Sequence, residues 1–441
     1  MCSVAEMTLE SNTYHKLNFS GGDLSSDSGL LLFKEFICKM GFDLLLKDLF
    51  HTDGNITPRL HTEDKNLLQV LYQIMSAYFT DDCADELTKD PVFTAMLGKN
   101  TLASQPTLSR FFSHMDKDTL ERFDLIAKEL RKRVYTYNMP DMILMDLDST
   151  LLETYGKQEG EGYNVHYHAH GYHPLVCFDS LTGDLLRIQL REGTKYSCNG
   201  VTDFLKPLLD EFQNDYPAVQ LFLRADSGFA TPELYTQCET NGVSYVIRLK
   251  ENSKLHELAT YLDEELSEIT KRNVVDYAVV YGEFLYQAGS WDYPRRVVCK
   301  IEKPTGQMVH LSTFILTNMD LPPVQLIKLY CNRGSMENLI KEGKSGFDFA
   351  GVSSRLKVVN ANRLQIHALA YNLFNWFRRL ALPKEMRKHM IDTIRLRLFK
   401  IAARVVRSAR YITFKLCSSY PYKREFLLTL ENIRQLKPRL A

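Results

Sequence analysis

The chain has 441 residues, 45% of them hydrophobic, with 54 basic and 54 acidic side chains and no formal net charge. That length and apolar content exclude a disordered chain and give room for two or three domains, while the neutral balance excludes a uniformly basic nucleic-acid binder. No apolar run reaches membrane-spanning length, residues 1–17 lack the basic-then-apolar pattern of a signal peptide, and nine cysteines without a Cys-x-x-Cys pair read as reduced thiols, so a cytoplasmic protein with no membrane partner is expected.

Residues 1–138 read as mostly helical. Asn66–Phe79 carries Leu67, Leu68, Val70, Leu71, Ile74, Met75 and Tyr78, the wide apolar face of a buried helix. Asp90 caps a short helix with Pro91 at its first position and Gly98 at its end, and Ser104 caps a second with Pro106 in its first turn. The pair resembles a helix-turn-helix that offers Gln105, Thr107, Ser109 and Arg110 to bases or phosphates; a plain helical hairpin explains the pattern equally well.

Pro140 marks a boundary, and Asp141–Thr150 reads as a buried strand. Asp146 and Asp148 would share one of its faces, and two carboxylates in so apolar a strand are costly unless paired or metal-bound. His166, His168 and His170, with His173 behind them, would lie on one face of a next strand at a spacing suited to zinc or iron; a histidine-rich neighbouring strand is the plainer reading. Leu175–Phe178 and Leu185–Leu190 form a hairpin, and Val201–Phe212 a crossover helix. Val219–Arg224 is a further buried strand, running into Ala225-Asp226-Ser227-Gly228. Asp226 thus stands at a strand's C-terminal end, where α/β proteins gather ligands and also where helix caps occur. A helix over Pro232–Gly242 and a strand over Val243–Leu249 follow.

Residues 255–320 are rich in β-formers, including Val274, Val275, Tyr277, Val279, Val280, Val297, Val298, Phe314 and Ile315. Within them Trp291, Arg295 and Arg296 offer a stacking surface and two phosphate-binding cations, or ordinary packing. After Pro322 and Pro323 a helix is expected to run through Lys344. At about 100° per residue, Tyr330, Arg333, Glu337, Lys341 and Lys344 fall in an arc of roughly 80°, beside an apolar stripe of Leu329, Met336 and Ile340. Glu337, flanked by cations, is a candidate metal ligand; a solvated, salt-bridged face is the alternative. Leu364–Leu380 reads as a buried helix. From Arg387 to Arg424 eleven basic residues face one acid, Asp392. There Arg397, Lys400, Arg404 and Arg407 run at helical spacing beside Ile394, Leu398, Ile401 and Val405, a pattern for tracking a phosphate backbone or for dimerisation.

Tyr330, two residues, Arg333, three residues, Glu337, six residues and Lys344 resemble the Y-R-E-K signature of the DDE transposases of bacterial insertion sequences. The resemblance implies that Glu337 is the third catalytic carboxylate, Asp226 the second, and Asp148 the first, with Asp146 as the alternate. The order three strands, helix, strand, helix, strand is that of the ribonuclease H-like fold which this family uses. The expected architecture is therefore an α/β ribonuclease H-like core, its mixed sheet made of three antiparallel strands and then parallel ones with flanking helices, plus a β-rich insertion and helical terminal regions. The implied divisions are a DNA-binding region over 1–138, catalytic segments over 139–254 and 321–380 around an insertion over 255–320, and a basic helical region over 381–441. The resemblance further implies two Mg²⁺ or Mn²⁺ ions held by Asp148, Asp226 and Glu337, and DNA contacts from Tyr330, Arg333, Lys341, Lys344, Trp291, Arg295, Arg296, Arg397, Lys400, Arg404, Arg407 and Arg110. The implied activity is cleavage at an element's terminal inverted repeats and joining of its 3′-hydroxyls to target DNA, by a homodimer on paired ends in the bacterial cytoplasm or nucleoid. A metal-dependent nuclease without strand transfer, a non-catalytic DNA-binding protein and a zinc hydrolase are the rival readings.

Overall fold

A computed structural model describes residues 6–52, 61–272, 277–307 and 309–437. Contacts divide the chain into two units. The first comprises residues 1–137, 342–351 and 358–441, and the second residues 138–341 and 352–357.

The first unit opens with β1 (Met7–Leu9), β2 (Asn12–Leu17) and β3 (Leu24–Ser25), then α1 (Leu30–Lys39), α2 (Phe42–Leu49), α3 (Glu63–Met75), α4 (Cys83–Glu86), α5 (Pro91–Leu97), α6 (Gln105–Ser113) and α7 (Lys117–Tyr135). The punctuation in the sequence becomes explicit at α5. The Asp90 carboxylate accepts the Val92 and Phe93 N–H groups at 2.8 and 3.0 Å, and Gly98 closes the helix at φ 64°. After α5 comes α6, where Ser109 and Arg110 are exposed.

The second unit is built on one eight-stranded sheet. Its strands and helices are β4 (Met142–Ser149), β5 (Leu152–Glu153), β6 (Gly162–Asn164), β7 (Ala169–Tyr172), β8 (Leu175–Asp179), β9 (Leu185–Gln189), α8 (Val201–Asp215), β10 (Gln220–Ala225), α9 (Pro232–Thr240), β11 (Ser244–Arg248), α10 (Ser253–Leu258), α11 (Thr260–Arg272), β12 (Ala278–Tyr286), β13 (Arg295–Lys303), β14 (Leu311–Thr317), α12 (Pro323–Cys331) and α13 (Gly334–Phe347), whose last turns, from Glu342, belong to the first unit. The sheet order is β12-β13-β14-β11-β10-β4-β8-β9, with β4, β10 and β11 parallel and the flanking strands antiparallel. Ile143, Met145 and Leu147 of β4 and Leu223 and Ala225 of β10 are fully buried, as expected for central strands covered on both faces. The β-rich stretch adds three strands to this same sheet through the β11–β14 ladder, and is continuous with the core. Val274 and Val275 lie outside the described residues. Leu326 and Ile327 of α12 pack on Val246, Val298 and Ile315, which fastens α12 to the sheet.

The histidine run departs from expectation. A small sheet of order β5-β7-β6 forms a hairpin whose turn contains His166 and His168, the latter at φ 53°. His166, His168 and His170 therefore share no strand face. His170 pairs instead with Glu161 at 3.0 Å, and His173 is buried with its Nδ1 2.7 Å from the Lys195 carbonyl oxygen. The Asn164 side chain draws the chain into this turn, an option that outcompetes a continuing strand.

The C-terminal part of the first unit contains α14 (Lys357–Leu380), α15 (Ile391–Ile394), β15 (Ala403–Arg407), β16 (Ile412–Leu416) and α16 (Lys423–Gln435). Two expectations change here. Residues 358–380 belong with the first unit, because Phe377 of α14 packs edge-on to Phe33 and Phe36 of α1 at 5.8 and 5.5 Å. The basic stretch, moreover, is a short helix, a π-type turn over Arg395–Phe399 and a β-hairpin joined to β3. Ile394, Leu398, Ile401 and Val405 are all buried as foreseen, yet Arg404 and Val405 alternate on a strand, where β-branched Val405, Val406, Ile412 and Thr413 sit well. Lys400 has an acidic partner that the local sequence does not reveal, pairing at 2.5 Å with buried Asp27, and Arg397 lies over the Tyr422 ring at 5.2 Å. Arg404 and Arg407 are exposed.

Candidate active site

Parallel pairing of β4 with β10 sets Asp146 opposite Arg224. Both are buried, and the guanidinium clasps the carboxylate through Nε at 2.5 Å and Nη2 at 2.6 Å. Arg224 also donates to Ser180 Oγ at 2.9 Å and to the Leu329 carbonyl of α12 at 2.6 Å. A buried carboxylate so fully engaged is neutralised in place, which separates Asp146 from its neighbour Asp148.

Two residues further along each strand stand Asp148 and Asp226. Asp148 accepts the Ser149 N–H at 2.8 Å, and Asp226, just past β10, accepts the Gly228 N–H at 2.8 Å. Between them lies Arg333, with Nη2 3.0 Å from Asp148 Oδ2 and Nη1 3.8 Å from Asp226 Oδ2. Its Nη2 also donates to the Leu147 carbonyl at 3.0 Å. Burial pushes the Asp148 carboxyl up to about 6 despite the opposing pull of Arg333 and the Ser149 N–H, with Asp226 and Asp146 adding to the rise. For Arg333 the two carboxylates outweigh burial and strengthen its hold on its proton.

Arg333 reaches this position because the expected helix from Tyr330 through Lys344 is broken. The chain turns at Asn332 and Arg333, between α12 and α13, where asparagine and Gly334 support a helix poorly. The polar stripe inferred from an unbroken helix does not form. Glu337 lies exposed in the first turn of α13, and among the described residues no group of three or more His, Cys, Asp or Glu side chains is arranged to hold a metal ion. The structure thus joins Asp148, Asp226 and Arg333 and leaves Glu337 outside that group. Tyr330 is partly buried beside the α12 core, Lys341 is exposed, and Lys344 falls in the first unit.

The expected stacking platform is packed internally. Trp291 is 8% exposed and meets Tyr235 and Tyr286 edge-on at 5.4 and 5.2 Å. Arg295 is buried and clasps Glu239 at 2.8 and 3.0 Å, while Arg296 pairs with Glu283 and donates to the Leu321 carbonyl at 3.0 Å. Trp291 and Arg295 hold the β-rich end of the sheet to α9, and Arg296 ties β13 to β12 and to the loop after β14. Sequence reasoning missed Arg224, whose only signal is a basic residue inside an apolar strand beside Asp226, and Ser197, whose Oγ is 2.9 Å from Ser149 Oγ.

Residues 8–438 match the family model described as transposase DDE domain group 1. The chain belongs to that family. Its members are enzymes that cut DNA and transfer strands, so this DDE transposase carries out DNA transposition chemistry. Among solved structures it is similar to a piggyBac transposase in a synaptic complex with hairpin DNA, at 14% identity and a TM-score of 0.40, over 85% of this chain and 80% of that one. Comparison with the curated proteins finds no match.

Proposed function

We propose that this DDE transposase binds the terminal inverted repeats of a bacterial insertion sequence, cuts the DNA there and joins the freed 3′-hydroxyls to target DNA, with Asp148, Asp226 and Glu337 as its catalytic carboxylates. The observation that carries the reading is the pair Asp148 and Asp226 at the ends of adjacent parallel strands, sharing one cation, Arg333. A site where a guanidinium bridges two carboxylates is electrostatically suited to divalent cations, and an all-oxygen donor set suits Mg²⁺ or Mn²⁺. Asp148 and Asp226 would hold two such ions, with Glu337, on the same short segment as Arg333, as the third ligand. Bound there, divalent cations would activate water and stabilise the leaving oxygen of a phosphodiester.

The chain's own groups then have distinct tasks. The Ser149 and Gly228 N–H groups orient the two carboxylates, and the Asp146–Arg224 pair fixes the strands that carry them. Arg333, released from Asp148, meets the scissile phosphate, and Tyr330 and Lys341 contact the adjoining nucleotides. Water attacks phosphorus, the P–O bond to the element's terminal 3′-oxygen breaks, and a 3′-hydroxyl remains on the element. That oxygen then attacks a target phosphorus and displaces a target 3′-oxygen. Exposed Arg110, Arg404 and Arg407 are the strongest candidates for holding the duplex, and two copies working on paired ends account for joining both. We assign the reaction to bacterial cytoplasm, on nucleoid DNA; no described helix is long and apolar enough to cross a membrane.

The test uses purified protein, DNA carrying the element's two ends and either Mg²⁺ or a chelator. Cleavage at the ends with Mg²⁺ alone, lost in Asp148→Ala, Asp226→Ala and Glu337→Ala while end binding persists, is the expected result. Cleavage with no joining would replace this reading with that of a metal-dependent nuclease.

A further inference from the structure

The turn between β6 and β7 is exposed yet unusually well fastened. Val165 is 73% and Tyr167 38% exposed, and His168 adopts a left-handed conformation at φ 53°, uncommon for residues other than glycine. Two sets of polar contacts hold this tip, and a third holds the loop that carries Ser197. Buried Asn164 accepts the His166 and Tyr167 N–H groups at 3.1 and 3.4 Å and donates to the Gly193 carbonyl at 3.0 Å. The Tyr167 hydroxyl donates to the Ser149 carbonyl at 3.2 Å, one residue after Asp148. Buried Arg191 donates to the carbonyls of His173, Tyr196, Ser197 and Asn199 at 2.7–3.3 Å, which fixes the loop that bears Ser197 against Ser149.

A loop tip with no partner normally needs none of this. Here the hydroxyl of Tyr167 is tied to the residue after Asp148, the carboxylate that would face the scissile phosphate, and Val165 is exposed on the same turn. Side chains of this kind act on nucleic acid by pressing between base steps or stacking on an unpaired base. Histidine rings flank the tyrosine, with centroids 4.8 Å away for His166 and 5.8 Å for His173, and restrain its movement.

We infer that the tip Val165–His168 is a wedge that holds the nucleotide next to the cleavage point, with Val165 and Tyr167 against its base. The inference rests on the transposase reading of the carboxylate site and adds its recognition of an unpaired terminal nucleotide. It assigns Tyr167 two parts: the hydroxyl anchors the tip to β4, and the ring meets the base.

The experiment places 2-aminopurine at the terminal nucleotide of the element's end DNA, or well inside the duplex as a control. Fluorescence is followed on binding of the full-length protein in chelator, and cleavage of the same DNA is measured after adding Mg²⁺. The expected result is a change at the terminal probe alone. Tyr167→Ala abolishes it and weakens end binding about tenfold, as loss of one base–aromatic contact does, whereas Tyr167→Phe, which keeps the ring and loses the anchor, retains part of it. Val165→Ser, at a site too exposed to disturb folding, reduces the change. If wild type cuts the ends and both Tyr167→Ala and Val165→Ser give its full fluorescence change, the wedge is refuted and the transposase reading stands. If wild type does not cut the ends, both fall.

Discussion

At the residue scale the decisive distinction is between Asp146 and Asp148. Both belong to one apolar strand, and sequence alone leaves either as the catalytic group. Burial separates them, because Asp146 is clasped by Arg224 while Asp148 reaches partial exposure beside Arg333. Asp146→Ala leaves the Arg224 charge buried without its partner and should destabilise the protein by about 3–5 kcal/mol in urea unfolding, whereas Asp146→Leu with Arg224→Met should cost much less. Asp148→Asn should instead leave stability close to wild type and remove cleavage. Asp226 was legible as a candidate from its place at a strand end, and the choice of Asp148 over Asp146 came from the family resemblance. Arg224 was not, since a partner 78 positions away appears only once β4 and β10 pair.

At the scale of elements, caps and buried strands were readable and long-range pairings were not. Asp90 and Gly98 bound α5 as their types dictate, and Asp90→Ala should lower stability by about 1 kcal/mol in thermal or urea unfolding. The strands β4, β8, β9, β10 and β11 follow from short apolar runs between turn residues. The continuous helix from Tyr330 and the basic C-terminal helix failed for one reason: spacings of three and four residues fit a helix even where the chain turns. Buried Ile394, Leu398, Ile401 and Val405 keep their places in the core through a turn and a strand. Helix α14 supplies a pH test. Buried His367 is held down to about 4 by burial, although its contact with the Phe347 carbonyl oxygen at 2.7 Å works the other way. The unfolded chain therefore takes up this proton first as pH falls. The stabilisation is complete above about pH 6.5 and is lost toward about pH 4, at up to about 1.4 kcal/mol per pH unit. Urea midpoints should fall across that window in wild type and fall less steeply in His367→Gln.

At the scale of the molecule, the expectation of a DDE transposase, drawn from a resemblance in residue types and spacing, agrees with the family model. Tyr330, Arg333, Glu337 and Lys344 keep their spacing, although a turn divides them and only Arg333 meets the aspartates. The architecture was partly legible. The β-rich stretch was foreseen as an insertion, while its union with the central sheet depends on the β11–β14 ladder, which no local pattern encodes. The two-unit division was hidden for a similar reason, since the first unit gathers residues from both ends of the chain.

Asp148, Asp226 and Glu337, as one metal-dependent site, should all be needed for strand joining. Supplying end DNA already cut, with its 3′-hydroxyl free, together with a circular target isolates that step from cleavage. Wild type should form the joined product with Mg²⁺ and none in chelator, and Asp148→Asn, Asp226→Asn and Glu337→Gln should each reduce the rate by about a thousandfold or more, as loss of groups acting as a unit does. Joining by Glu337→Gln at the wild-type rate would remove Glu337 from the catalytic site.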